Sequence, residues 1–306
     1  MNWLKGLKSK VFVNESTDKH TTLKIGGRAS LWIEVFDFDE LIYIVKKLKE
    51  EKIDFFVIGN GSNILIPDGD LNYVFIRLKS DYFNKIFIDG DNIIARAGVN
   101  LNTLLDVSNK YSLGGVEFLA GIPASLGGAI YTNAGAQGRC IAEVIGQVKG
   151  ISCSGKEKIL NKDDLSFRYR ESGLDDFIIT EARLKLEKAE KENILNLRKK
   201  YLNSKKDAQP LEELSAGCVF KNSPDSKLKS AQLIERANLK GISVRQAQVS
   251  RKHANFIINK GNASFNDVND LIRMIQDKVK MLYNIELSLE IEILPRSYAQ
   301  GRIYKA

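Results

Sequence analysis

Three side chains in this sequence could move a proton or steady a developing negative charge. Cys218 lies on a glycine-flanked turn in "ELSAGCVFKN", Arg170 lies in "FRYRES" and Glu292 in "LEIEIL". A protonated thiol can serve as an acid and an ionised one as a nucleophile, whereas an arginine and a carboxyl group can polarise an oxygen-bearing substrate. Each also has a plainer use. A lone cysteine is often a small buried apolar residue, and charges at strand ends often form surface ion pairs.

Other chemistries find little support. The three cysteines, Cys140, Cys153 and Cys218, are an odd count without a Cys-x-x-Cys spacing, which argues against a disulfide framework and a thiolate metal site. His20 and His253 are too far apart in the chain to form a His-x-x-x-His pair, so no metal is expected. There is no Gly-x-Ser-x-Gly elbow and no Walker A signature, which disfavours a serine hydrolase and a P-loop nucleotide hydrolase.

What the chain does offer is glycine. "GIPASLGGAIYTNAGAQG", Gly121 to Gly138, has nine Gly or Ala among eighteen residues and no charge. Such a run loses chain entropy on folding and buries little by itself, so a packed neighbour or a ligand must compensate. "VIGNGSNIL" (Val57 to Leu65) carries Gly59-x-Gly61 after an apolar strand, but Ile64 fills the third glycine position of a dinucleotide turn and "ILIPDGD" cannot open a helix. It offers instead a tight turn with backbone N–H groups and short Asn and Ser side chains, suited to phosphate oxygens. "TLKIGGRA" (Thr22 to Ala29) is a third such element. Each alone can be a plain loop. Together they could surround an extended diphosphate, with the uncharged stretch lying against a large flat ring, which suggests a flavin dinucleotide.

The elements that must position these residues alternate helix and strand. "SLWIEVF" reads as a strand, "FDELIYIVKKLKEEKI" as an amphipathic helix with Leu41, Ile44, Val45 and Leu48 on its apolar side, and "DFFVIGNGSNIL" as a buried strand entering a turn. "NYVFIRL" opens a second unit, in which Asp89-Gly90 within "KIFIDGDNIIARAGV" signals a hairpin, followed by a short helix "LNTLLDVSNKY". Beyond the glycine stretch come strands "EVIGQVKGISC" and "FIITEARLKL", a helix through "EKAEKENILNLRKKYLNSKKDAQP", and a third unit reading strand, helix, strands, helix and last strand "LSLEIEIL".

At 306 residues, 43% hydrophobic and 27% charged, the chain has room for two or three compact units. A net charge of +8 favours anionic partners. The densest basic run, Asn196 to Lys206, reads as a solvated helix face with Leu197, Tyr201 and Leu202 on the opposite side, and no basic-aromatic interleaving points to nucleic acid. No apolar run has membrane-spanning length and the start lacks a signal peptide, so the expected location is the cytoplasm.

"TLKIGG", "GNGSN", "EFLAGIPASLGGAIYTNAGAQG", "FRYRES", "SAGCVFKN", "VSRKHANFIIN" and "LEIEI" occur in the order seen in the UDP-N-acetylenolpyruvoylglucosamine reductase family, and the chain resembles that family over about residues 18 to 294. The short interval between "FRYRES" and "SAGCVFKN" is similar to the family's second type, which lacks a tyrosine-bearing loop. The resemblance implies an α+β fold: a two-subdomain FAD-binding unit of the vanillyl-alcohol oxidase type, 1–74 and 75–190, and a substrate domain, 191–306. It implies NADPH as co-substrate and UDP-N-acetylglucosamine enolpyruvate as substrate; a monomer is expected.

Residue by residue, it implies FAD contacts from Ile25, Gly26 and Gly27, and from Gly59, Asn60, Gly61, Ser62 and Asn63. The glycine stretch adds Gly121, Ile122, Pro123, Ser125, Gly127, Gly128, Asn133, Gly135 and Ala136. Tyr169, Lys221 and Asn222 would line the substrate pocket. Arg170 would polarise the substrate carboxylate, Glu292 would hydrogen-bond it or orient the enol, and Cys218, at a position where many relatives carry serine, would protonate C2. Cationic neighbours such as Arg170 can pull the thiol pKa down, which leaves the resting protonation state of Cys218 open. The role of His253 in "HANF" is left open between packing and ligand contact.

Overall fold

The structure, a computed structural model, describes residues 1–294 and the backbone of 303–305. The remaining tail of the expected substrate domain lies outside the described residues.

The chain opens with antiparallel β1 (Lys10–Ser16) and β2 (Arg28–Glu34), continues through α1 (Phe38–Glu50) to β3 (Phe55–Ile58), and passes β4 (Ile64–Leu65) before β5 (Asp70–Arg77). Asp37 caps α1 by accepting from the Glu40 N–H at 3.0 Å, and Leu41, Ile44, Val45 and Leu48, spaced three and four apart, are the buried side of the helix. β5 lies parallel between β2 and β3 in a sheet of order β1-β2-β5-β3-β20, β20 being Ile303–Lys305. Both faces of β3 and of the middle of β5 are covered, which is why they read as continuous apolar runs. "NYVFIRL", expected to open the second unit, is therefore the central strand of the first.

A second sheet is antiparallel throughout. Its hairpin joins β6 (Ile86–Asp89) to β7 (Asn92–Arg96), with Asp89 opposite Asn92 and Gly90 at φ +59° in the turn. α2 (Leu101–Lys110) and β8 (Leu113–Gly114) follow, then α3 (Leu126–Tyr131) and a small ribbon of β9 (Gly135–Ala136) with β10 (Arg139–Cys140). β11 (Ile145–Ser152), β12 (Glu157–Asn161) and β13 (Phe177–Lys185) complete the sheet in the order β12-β11-β13-β7-β6. β14 (Glu187–Lys188) pairs with β8, and α4 (Lys191–Ala208) then packs Tyr201 and Leu202 against the core shared by the first two sheets. α4, expected in the third unit, thus belongs by packing to the second.

The third part has its own core. β15 (Ser215–Cys218), α5 (Ser230–Arg236), β16 (Ser243–Val244), β17 (Ala247–Val249) and β18 (Phe256–Asn259) form an antiparallel sheet of order β15-β18-β17-β16 with its helices. α6 (Phe265–Tyr283) starts at a Ser264–Asp267 capping box and ends at Asn284 in the left-handed region, φ 54°. Only Glu292–Ile293 of the expected last strand forms a ladder: this is β19, parallel to β4, and it ties the third part to the first. Among the described residues no helix is long and apolar enough to cross a membrane.

Candidate active site

Where the three parts meet lies a cavity of about 1240 Å³. One wall is the small-residue stretch, with Gly121, Ile122, Pro123, Ser125, Gly128, Gly135 and Ala136, and the turn Asn60–Asn63 faces the same space. Asn60 Nδ2 joins the two by donating to the Pro123 carbonyl at 3.3 Å. A smaller cavity between the end of β3 and α3 is lined by Gly59 and Gly127, and it shares Asn60, Ser125, Gly128 and Tyr131 with the large one. Gly61 and Gly121 have φ of +63° and +74°, conformations that a side chain would strain. A Cβ on Gly61 would lie 2.2 Å from the His20 carbonyl oxygen. An elongated trough walled by backbone and small residues fits a dinucleotide carrying a flat ring.

Ile25, Gly26 and Gly27 lie elsewhere. Ile25 is buried in the core of the third part, and a Cβ on Gly27 would sit 1.9 Å from the Gly69 carbonyl oxygen. Their glycines serve a close backbone crossing, with Gly27 N–H donating to Pro67 O at 2.7 Å. Asn133 also leaves the lining. It is buried, with Nδ2 on the Arg168 carbonyl at 2.8 Å and Oδ1 accepting from Ala142 N–H at 3.3 Å, so it anchors the loop that carries Arg170.

Arg170, Cys218 and Glu292 all line the large cavity. Arg168 and Glu171 exchange backbone hydrogen bonds at 2.9 and 3.1 Å, closing a two-residue turn of Tyr169 and Arg170. Arg170 is held there at φ +60°, a left-handed conformation that is costly for a long side chain. Its Nε lies 2.8 Å from Glu290 Oε1, an ion-pair contact outside good hydrogen-bond alignment, and its Nη1 donates to Gly135 O at 3.3 Å. Cys218 ends β15 at a bulge: Ser215 pairs with Ile258 and Cys218 with Phe256, so one residue is extra, and Gly217 takes φ +80°. That irregularity explains the glycine in "SAGC".

The thiol stays a thiol. Burial pushes its pKa up to about 12, Glu290 adds to the rise, and Arg170 and Lys205 oppose it. The pull of Arg170 is present, but burial outweighs the cations. Burial likewise raises the carboxyls of Glu290 and Glu292. For Glu292 the neighbouring Asp175 adds to the rise and Lys221 opposes it, whereas for Glu290 the opposition comes from Arg170 and Lys221.

Glu290 is absent from the sequence-based candidates, as is Lys205. Both had a signal. Glu290 precedes Glu292 by two residues in a run that reads as a strand, a spacing that puts two carboxyls on one side, and although the chain bends at Glu290 both line the cavity. Lys205 continues the three-and-four spacing of Leu197, Tyr201 and Leu202 and falls on the packed side of α4, 7% exposed, not on the solvated face that the run of charges suggests. Asn63 has a second duty: its carbonyl accepts from Glu292 N–H at 2.9 Å and its Nδ2 donates to the Glu290 carbonyl at 3.0 Å, so "GNGSN" holds "LEIEI" in place.

Of the expected substrate contacts, Lys221 lines the cavity and pairs with Glu171 at 3.0 Å. Tyr169, 54% exposed, and Asn222 are not part of the lining; they meet each other at 3.4 Å beside it. His253 is a packing residue. Its Nδ1 accepts from Asn255 N–H at 3.3 Å, its ring meets Phe256 edge-on at 4.9 Å, and burial lowers its pKa.

Residues 30–160 match the FAD binding domain family, and 209–294 match the C-terminal domain of UDP-N-acetylenolpyruvoylglucosamine reductase. The chain is 39% identical over 284 residues to the reductase of that name from Clostridium kluyveri, covering 92% of each. It is 39% identical to the one from Caldanaerobacter subterraneus, covering 93% of this chain and 94% of the relative. The crystal structure of the Thermus caldophilus reductase is similar with a TM-score of 0.81 at 33% identity, covering 94% of this chain and all of that one.

Proposed function

We propose, for a chain that belongs to the UDP-N-acetylenolpyruvoylglucosamine reductase family, that the large cavity is its active site and that Arg170, Cys218 and Glu292 act there on the enolpyruvyl group. The chain is an FAD-containing oxidoreductase of peptidoglycan precursor synthesis. The observation that carries the assignment of residues is their convergence: three sequence-distant side chains face one space walled by the glycine stretch.

FAD held along the glycine stretch and the Asn60–Asn63 turn would, once reduced by NADPH, supply the hydride for C3 of the enolpyruvyl group. Charge then gathers on C2 and the carboxylate. Arg170, oriented by Glu290 and the Gly135 carbonyl, faces that charge, and a group that meets charge only as it develops lowers the barrier more than one that binds the ground state. Glu292 meets a substrate anion, which a carboxylate would repel. Burial and Asp175 favour its protonated form, which can donate a hydrogen bond. Cys218 delivers the proton to C2.

The first two sheets, with β5 in the first unit and α4 packed on the second, would hold the cofactor, and the third part the nucleotide sugar. Cytoplasmic location and a monomeric state belong to the same proposal. NADPH labelled with deuterium at the transferring position tests the chemistry. In ordinary water, label retained in the product is expected on C3 and none on C2, read by proton NMR. Deuterium on C2 would contradict hydride addition at C3.

A further inference from the structure

Lys205 is the only buried lysine among the described residues. Its neighbours in the basic run, Lys199, Lys200 and Lys206, are exposed. Its stem lies against the glycine stretch, where a Cβ on Gly121 would meet Lys205 Cδ at 3.2 Å, and Nζ donates to the Ala120 carbonyl at 2.7 Å. A buried ammonium is costly unless negative charge faces it.

Arg170 from the turn before β13, Glu290 from the segment before β19 and Lys205 from α4 line the same cavity as Cys218 and act on it through their charge. Arg170 and Glu290 pair with each other at 2.8 Å, so their charges largely offset. Lys205 is the cation left over, and it lines the same cavity as the sulfur. The influence is mutual: burial and then Arg170 draw the Lys205 pKa down to about 8, while Cys218 pulls it back up.

We propose that Lys205 is the counter-charge of Cys218, stabilising the thiolate that remains when the thiol gives its proton to substrate C2. In that step the S–H bond breaks with both electrons staying on sulfur, and the electron pair on C2 forms the new C–H bond. Solvent then returns a proton to sulfur. Lys205 acts through Cys218 and is a positioning residue. The proposal rests on the acid role given to Cys218 above, but the charge pair can be measured apart from turnover.

The experiment uses the FAD-loaded enzyme carrying Cys140→Ser and Cys153→Ser, so that Cys218 is the one thiol, and follows its alkylation by iodoacetamide against pH. The rate tracks the thiolate fraction, which climbs about tenfold per pH unit below the thiol pKa. With Lys205 present the climb is expected to flatten near about pH 8, where the ammonium loses its proton and its hold on the thiolate. Lys205→Arg keeps its charge and should restore an unbroken climb. Lys205→Met should lower the rate at neutral pH about tenfold, equivalent to one pKa unit.

An unbroken climb in the parent, or an unchanged or faster rate in Lys205→Met, would overturn the proposal. A faster rate would mean a loosened site, with Lys205 serving only to hold the Ala120 carbonyl. Full turnover by Cys218→Ala would remove the acid role while leaving the charge pair, so the two failures are distinguishable.

Discussion

Cys218→Ala is expected to lose nearly all turnover, on the order of a thousandfold or more, while NADPH still bleaches the flavin at the parent rate. The size follows from general acid catalysis, which contributes about 10²–10⁴ when a positioned group delivers the proton. The specificity of the loss follows from place. Cys218 ends β15 at the bulge made by Gly217 and meets the cavity beside Arg170 and Glu290, so removing it changes the second half-reaction and leaves the flavin wall untouched. With its pKa pushed up to about 12, the thiol carries its proton near neutral pH. Cys218→Ser, which keeps a donor in the same position, should retain a good part of the activity. Steady-state rates with the nucleotide sugar and stopped-flow bleaching with NADPH check both halves, and parent-like turnover by Cys218→Ala would remove the residue from the mechanism.

Arg170→Met is expected to lower kcat by about 10²–10³-fold, the range found when one group that stabilises developing charge is removed. Arg170 is positioned by three independent constraints: the Arg168–Glu171 turn, the Glu290 carboxylate at 2.8 Å and the Gly135 carbonyl at 3.3 Å. A residue kept at φ +60° against its own preference indicates that the surrounding structure fixes its direction. Methionine leaves Glu290 buried without its cation, and burial already favours the protonated form, so the carboxyl should take up a proton instead of disrupting the fold. Arg170→Lys keeps charge but loses the planar fork and should fall between parent and Arg170→Met. A kcat within threefold or so of the parent for Arg170→Met would contradict the assignment.

Much of this site was legible because local rules and function coincide there. The buried positions of α1 follow from spacing alone, and the Asp89–Gly90 signal gave the β6–β7 hairpin. The convergence of Arg170, Cys218 and Glu292 came from ordered motifs, not from periodicity. What the sequence hid depended on long-range pairing. β5 looks like the start of a new unit until it inserts between β2 and β3, a parallel placement that no adjacent turn announces. Gly26 and Gly27 look like ligand glycines, but a crossing of the chain at Pro67–Gly69 needs the same absence of side chains. Lys205 was masked by its basic neighbours, and the protonation state of Cys218 stayed open because charge can be read from sequence and burial cannot.

The measurement that bears most directly on the central claim is the visible spectrum of the purified protein through both half-reactions. Under anaerobic conditions the flavin band near about 450 nm is predicted to bleach with NADPH, stay bleached after excess NADPH is removed, and return on addition of UDP-N-acetylglucosamine enolpyruvate. A protein that takes up no FAD, or a reduced flavin that the nucleotide sugar fails to reoxidise, would contradict it.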